Sequence, residues 1–179
     1  MEGTCLCGAI TITINDSEPL SRSGGFVCHC RNCKKTASSA FGTNLIIESE
    51  KVTIKGGDNL SVYEDYATTS GKCVRRYFCK TCGNPIQSLA ELLPGKTILK
   101  MGIFEKVMAP EWECFAKDRY SWIPAIEGAT QFKSKTGGEK MDIRYICSGG
   151  NDLLMLVSTK ITGSIHVRAG YPCRPADGS

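Results

Sequence analysis

Residues 28–33 read CHCRNC: three cysteines, one histidine and one arginine in six positions. The whole chain of 179 residues holds 11 cysteines and 2 histidines, so this run concentrates soft metal ligands. Two further clusters flank it. Cys5-x-Cys7 lies upstream, and Cys79-x-x-Cys82-Gly83 lies downstream. Zinc takes about four soft ligands in a tetrahedron, with sulfur at roughly 2.3 Å. A C-x-x-C turn can present two sulfurs to one metal, and Gly83 suits the tight turn that follows. The start, MEGTCLCGAI, has no basic stretch leading into an apolar run, so no secretory leader is expected. Without one, a cysteine-rich chain reads as metal-binding rather than as a disulfide framework, and a cytoplasmic location is expected.

Ligand counting divides the cysteines between two sites. Cys5 and Cys7 with Cys79 and Cys82 complete a closed four-thiolate site. It would join the N-terminal strand to chain roughly 75 residues later, a loop whose closure is entropically costly without a staple. This site is expected to be structural. Cys28, Cys30 and Cys33 then remain for a second zinc, giving two per chain. Its fourth position is open to water, to a substrate, to His29 or to Cys73. His29 lies between two ligands, and in extended chain its side chain points to the face opposite Cys28 and Cys30. Three thiolates leave such a site at charge −1. That makes it a weak Lewis acid for producing hydroxide and a better holder of a fourth thiolate. A second structural site, closed by a protein ligand, is the alternative.

Composition sets outer bounds. Apolar residues make up 41% and charged residues 22%, values typical of a folded globular domain. No run approaches 18 consecutive apolar residues, so no membrane-spanning helix is predicted. The formal charge of +4 is a weak hint of nucleic acid. Two such zinc sites would reduce it to about +1, and the basic residues are scattered, so no nucleic-acid partner is expected.

Strand signals are numerous and short. Ile10, Ile12 and Ile14 alternate with polar residues, as in a half-buried strand. The runs NLIIE and KVTIK flank Ser49-Glu50, which reads as a hairpin turn. LSVYE, VRRYF, PIQSL, KTILKM and WECFA follow, punctuated by Gly, Asn and Pro. Helix is expected only as short turns, over Lys34 to Ala40 and Phe104 to Met108. This is a mainly β, antiparallel layout without a βαβ rhythm. Composition shifts near Phe132. A domain over residues 1–132 is expected, with residues 133–179 as a C-terminal extension of unknown role. Within the extension, LLMLVSTKITGSIHVRA reads as a small hairpin or as loosely ordered chain, the second being favoured because no motif anchors it.

Four stretches together, GTCLCGAI (3–10), CHCRNCKKTASSAF (28–41), RRYFCKTCGNPI (75–86) and PEWECFAKDRYSWIPAIEGATQF (110–132), resemble the glutathione-dependent formaldehyde-activating enzyme family, also called the centromere protein V family. The resemblance implies a β-tent-type fold of several small antiparallel sheets. It implies a structural zinc on Cys5, Cys7, Cys79 and Cys82 and a second zinc on Cys28, Cys30 and Cys33. It also implies a carbon–sulfur lyase that condenses formaldehyde with glutathione to S-(hydroxymethyl)glutathione. One position departs from the family pattern: where members commonly carry Gly-Ser-x-Phe, this chain has Ser38-Ser39-Ala40-Phe41.

Other residues carry weaker expectations. Arg31, Lys34, Lys35, Arg75 and Arg76 neighbour the cysteine motifs and could pair with the carboxylates of glutathione, although solvated charge is the plainer reading. Trp122 is expected in the core, and Asp118 and Tyr120 beside a pocket. Cys114, Cys147, Cys173 and His166 are taken as incidental. Three functions compete. The leading one is a zinc lyase acting on a thiol–aldehyde adduct, with His29 as a weak acid–base candidate. A zinc-stapled β binding module for a protein partner comes second. The third, a methionine sulfoxide reductase, needs an exposed thiol that is not a ligand, for which Cys73 and Cys114 are the candidates.

Overall fold

The computed structural model describes residues 1–21 and 23–141. Cys147, Cys173, His166 and the run expected to form a C-terminal hairpin lie outside them. No helix among the described residues is long and apolar enough to cross a membrane.

The chain is mainly β with one α-helix. Strands β1 (Glu2–Thr4), β2 (Thr11–Ile14) and β5 (Val52–Lys55) form a three-stranded antiparallel sheet in the order β1-β2-β5. The second sheet has eight strands. These are β3 (Gly25–Cys28), β4 (Gly42–Glu48), β6 (Leu60–Asp65), β7 (Val74–Cys79), β8 (Pro85–Ala90), β9 (Lys96–Lys100), β10 (Trp112–Cys114) and β11 (Thr130–Gln131). Their order is β11-β10-β3-β4-β9-β8-β7-β6. Pairing is antiparallel except at one end, where β10 lies parallel to both β3 and β11.

The core sits where the three-stranded sheet covers the larger one. Ile10, Ile12 and Ile14 meet Leu45, Ile47, Ile86 and Leu99 there, all essentially excluded from water. The alternation of β2 thus has the consequence its period predicts: isoleucine inward, threonine outward. Each fully buried isoleucine stabilises by about 1.5–3 kcal/mol. A smaller cluster lies at the β10-β3-β4-β9 end, where Phe26, Cys28 and Cys114 pack with Cys30, Cys33, Ile46, Ile98 and Trp112.

Two local expectations are corrected. NLIIE and KVTIK do not form a hairpin. Both edges of β4 are taken by β3 and β9, so after a 3-10 turn over Ser49–Lys51 the chain crosses to pair β5 with β2. No helical turn forms over Phe104 to Met108; the turn falls earlier, at Met101–Ile103. There Met101 and Ile103 are buried, and Phe104 is bridged to Gly3.

Helix α1 (Arg31–Ala37) starts earlier than the pattern suggests because Cys30 caps it, its sulfur accepting from the Cys33 N–H. It ends at Ser38, which adopts the left-handed conformation with φ +47 and donates its N–H to Lys35. Here the departure from the family's glycine acquires a backbone meaning, since the position is an exposed helix C-cap that favours glycine. Replacing Ser38 by Gly is expected to relieve about 1 kcal/mol of backbone strain. Scanning calorimetry should then show a melting temperature roughly 2–4 °C higher; an unchanged or lower value would refute the strain.

Candidate metal centres

Cys5 and Cys7 sit on the turn between β1 and β2, and Cys79 and Cys82 on the turn between β7 and β8. The two turns are built alike. Gly8 (φ +76) donates to the Cys5 carbonyl at 2.9 Å, and Gly83 (φ +73) donates to the Cys79 carbonyl at 2.8 Å. In each, a left-handed residue right after the second cysteine folds the backbone back, which glycine does without strain. Asn84 ties the turns together: its side-chain oxygen accepts from Leu6 N–H at 3.1 Å and its carbonyl from Cys79 N–H at 2.9 Å.

The four sulfurs lie within 4.8 Å of one another. Cys5 and Cys7 are 3.5 Å apart, and Cys7 and Cys79 are 3.7 Å apart. A tetrahedron of sulfurs at about 2.3 Å from zinc has edges of about 3.8 Å, so these residues fit the ion. Ionisation is unevenly divided among the four: although the Ala9 backbone lowers it, contact with Cys5, and with Cys82 and Cys79, pushes the Cys7 thiol up to about 12. The Ile10 N–H points at Cys5 Sγ from 3.3 Å, and the Asn84 backbone is the main cause holding Cys82 down to about 6.

The second cluster joins the end of β3 to α1. Cys28, Cys30 and Cys33 bring their sulfurs within 4.8 Å of one another, and among the described residues no fourth ligand of the usual types joins that group. Cys73 is buried at the entry to β7 and stands outside it. Gly42 makes the approach of α1 to β4 feasible: a Cβ there would meet the Cys33 Cβ at 3.3 Å. Contact with Cys114 first, and with Cys30 next, pushes the Cys28 thiol up, and Cys28 in turn pushes up Cys33. Three thiols so close resist ionising together unless a cation lies between them, so this donor set also fits a soft dication.

His29 faces the other way. Its Nε2 lies 2.6 Å from Glu113 Oε2, with both side chains only 1% exposed. Glu113 also accepts from Arg119 (3.0 Å), from the Gln131 side chain (2.7 Å) and from Ile126 N–H (2.6 Å). Burial alone would raise this carboxyl. The bonds from His29, Ile126 and Gln131, with the Arg119 charge, overcome that and hold it at about 2. The network locks the residue between two cysteines onto β10, β11 and the loop between them.

The remaining candidates separate. Arg76 is paired with Asp65 at 2.6 Å, and Asp65 also accepts from Asn32 of α1 at 2.8 Å. Lys34 stacks its ammonium over Tyr120, 3.8 Å from the ring centroid, and bonds to the Asp118 carbonyl. Arg31 and Lys35 are exposed, and Arg75 meets Glu64 at the surface. Trp122 is not in the core. It is 71% exposed and stacks on Tyr120 at 5.9 Å; Trp112 is the one that packs inside, on Phe26. Sequence reading missed Glu113, Arg119, Gln131 and Lys100. It also passed over Cys114, whose residue pairs with Cys28 across β3 and β10. Spacing carries no trace of that neighbourhood, because the two strands are brought together from distant chain.

Comparison with known proteins follows from these motifs. The sequence profile of the glutathione-dependent formaldehyde-activating enzyme family matches residues 1–118, which include all seven clustered cysteines. The chain belongs to this family. A curated Halomonas elongata protein that carries the family's name is 28% identical over 90 residues, 48% of this chain and 54% of that one. The chain thus spans about half the length of that relative. A crystal structure of a Rhodobacter sphaeroides protein aligns with a TM-score of 0.46 at 23% identity, covering 60% of this chain and 90% of the other. The family match ends just short of Arg119, so only Glu113 and His29 of the buried network lie within it.

A pH dependence follows from Glu113. Its folded pKa lies below its unfolded one, so its stabilisation is present above about pH 4.5 and drains away as pH falls towards about 2. Glu113→Gln should cost about 3–5 kcal/mol at neutral pH, because His29 and Arg119 lose a buried charged partner. Urea titrations at pH 7 and pH 3 should show the gap between wild type and variant narrowing in acid; a constant gap would sink this account.

Proposed function

We propose that the chain is a zinc-dependent carbon–sulfur lyase of the S-(hydroxymethyl)glutathione synthase type. It would act on the adduct of a small thiol such as glutathione and an aldehyde such as formaldehyde. The observation that carries the reading is the contrast between the two clusters: four sulfurs converge at one and three at the other. Family membership and the name of the Halomonas elongata relative support the choice of thiol and aldehyde.

In this reading Cys5, Cys7, Cys79 and Cys82 hold a structural zinc, and Cys28, Cys30 and Cys33 hold a second. Zinc held by these three thiolates would offer a soft ligand a position at which a thiol ionises more readily. The chain's own residues fix that position. Cys30 caps α1 by accepting from Cys33 N–H at 3.3 Å, so two of the three sulfurs are set by one helical turn. Cys28 is held by the sheet, and His29, anchored to Glu113, prevents the backbone between Cys28 and Cys30 from rotating. His29 is assigned a positioning role: Glu113 holds its Nε2, and its Nδ1 is buried without a hydrogen-bond partner among the described residues. In the reaction a carbon–sulfur bond forms between the thiol sulfur and the carbonyl carbon, and the thiol proton ends on the carbonyl oxygen; the reverse direction breaks the same bond. We assign residues 1–132 to this unit and residues 133–179 to a C-terminal extension of unknown role, whose first residues are bonded to the unit through Ser134 and Met141, in a cytoplasmic protein.

Metal analysis and exchange spectroscopy test the reading. Purified wild type should hold two zincs per chain. Cys33→Ser should fall towards one with the circular dichroism of the fold kept, whereas Cys79→Ser should unfold, because structural zinc binding supplies folding free energy. NMR exchange on glutathione with formaldehyde should be accelerated by wild type and not by Cys33→Ser. If Cys33→Ser unfolds as Cys79→Ser does, the second site is structural. Partner binding without turnover would favour a zinc-stapled binding module instead.

A further inference from the structure

One charged group beside the three-cysteine cluster has no counterpart in the reading so far. Lys100 ends β9 opposite Asn44 of β4. Its ammonium donates to Asn44 Oδ1 at 2.8 Å, and it has no carboxylate partner among the described residues. Asn44 is buried and its amide donates to the Gly42 carbonyl at 3.1 Å. Gly42 is the residue against which Cys33 packs and the one paired with Cys28. A short polar chain, Lys100 to Asn44 to Gly42, therefore holds a cation on the sheet floor beneath the sulfurs.

The other cations nearby are accounted for. Arg76 is neutralised by Asp65, and Lys34 is turned away over Tyr120. Burial works against the Lys100 charge; of the groups acting on it, Cys33, Cys28 and Cys30 favour it and Arg76 opposes it. Buried charges are normally paired. Among the described residues, the groups that favour its charge are the sulfurs of Cys33, Cys28 and Cys30.

We propose that Lys100 is a specificity-determining residue of this site, selecting an anionic sulfur ligand over a neutral one. The inference rests on the open-site reading above. Three thiolates around a dication carry −1, which would repel an arriving thiolate. One fixed cation brings the local sum to zero before the ligand arrives. At an effective dielectric of about 20, a unit charge roughly 8–12 Å away changes the affinity for an anion by roughly ten- to thirtyfold and leaves that for a neutral ligand nearly unchanged.

The test uses the full chain loaded with cobalt in place of zinc, so that ligand binding is read by absorption rather than by turnover. The probes are 2-mercaptoethanol, which binds as a thiolate, and imidazole, which binds neutral. In Lys100→Met the thiol should bind roughly ten- to thirtyfold more weakly, with imidazole unchanged within twofold, and Lys100→Arg should restore thiol binding. If both ligands weaken together, Lys100 merely supports the fold of the site, and the inference is overturned; if neither changes, it is likewise overturned. Should Lys100→Met not fold, Lys100→Gln, whose amide can still reach Asn44, gives the same readings. Failure of wild type itself to bind either probe would count against the open site rather than against the role of Lys100.

Discussion

The convergence of Cys5 and Cys7 with Cys79 and Cys82 is the constraint on which the architecture turns. Cys7 and Cys79 are 72 residues apart in sequence and 3.7 Å apart at their sulfurs. A metal there would close the loop that contains β2, the middle strand of the small sheet, together with β3, β4 and α1. It would fix the β1–β2 turn, which belongs to the small sheet, onto the β7–β8 turn, which belongs to the large one. The isoleucine-rich core lies between these sheets, so the staple and the hydrophobic contact act on the same interface. Glycine at positions 8 and 83 and the bridging side chain of Asn84 give the two turns their shared geometry.

The three-cysteine cluster is held by a different kind of constraint. It sits on the opposite face of the large sheet, where β10 joins β3 in parallel. Its sulfurs come from a strand end and from the cap and first turn of one helix, and the strand and the helix are tied down separately. Asp65 and Arg76 fasten α1 through Asn32, and the Glu113 network fastens the strand through His29. A site assembled this way keeps its geometry without a fourth protein ligand, because the fold supplies the rigidity that a fourth ligand would supply elsewhere. The two clusters thus differ in how they are held as well as in their number of sulfurs.

The cost of this arrangement is buried charge. Glu113, His29 and Arg119 on one side and Lys100 on the other are polar groups placed where an all-apolar core would be simpler. Glu113 is fully satisfied by four partners, and burial is outweighed by hydrogen bonding. Lys100 is satisfied only in part, by Asn44. This asymmetry distinguishes a carboxylate whose bonds hold the backbone from an ammonium with no carboxylate partner among the described residues.

Much of this was legible in the sequence, for identifiable reasons. Ligand grouping follows from local spacing: C-x-C and C-x-x-C turns present sulfurs whatever the fold, and four plus three is arithmetic. The alternation of Ile10, Ile12 and Ile14 fixed the inward face of β2, and the quoted motifs carried the family. Other features depended on which distant segments meet. The exchange of β5 into the small sheet arose because β4 had no free edge, and no local pattern records edge occupancy. His29, Glu113, Arg119 and Gln131 form a network across more than 100 residues of chain. Cys114 and Lys100 approach the cluster only because β10 and β9 take their places in the large sheet. The sequence by itself determined which sulfurs would seek a metal, since that chemistry is local. Only the tertiary structure decided which carboxylate His29 meets and which cation lies beside the three-cysteine cluster, since burial and field are properties of the assembled sheet.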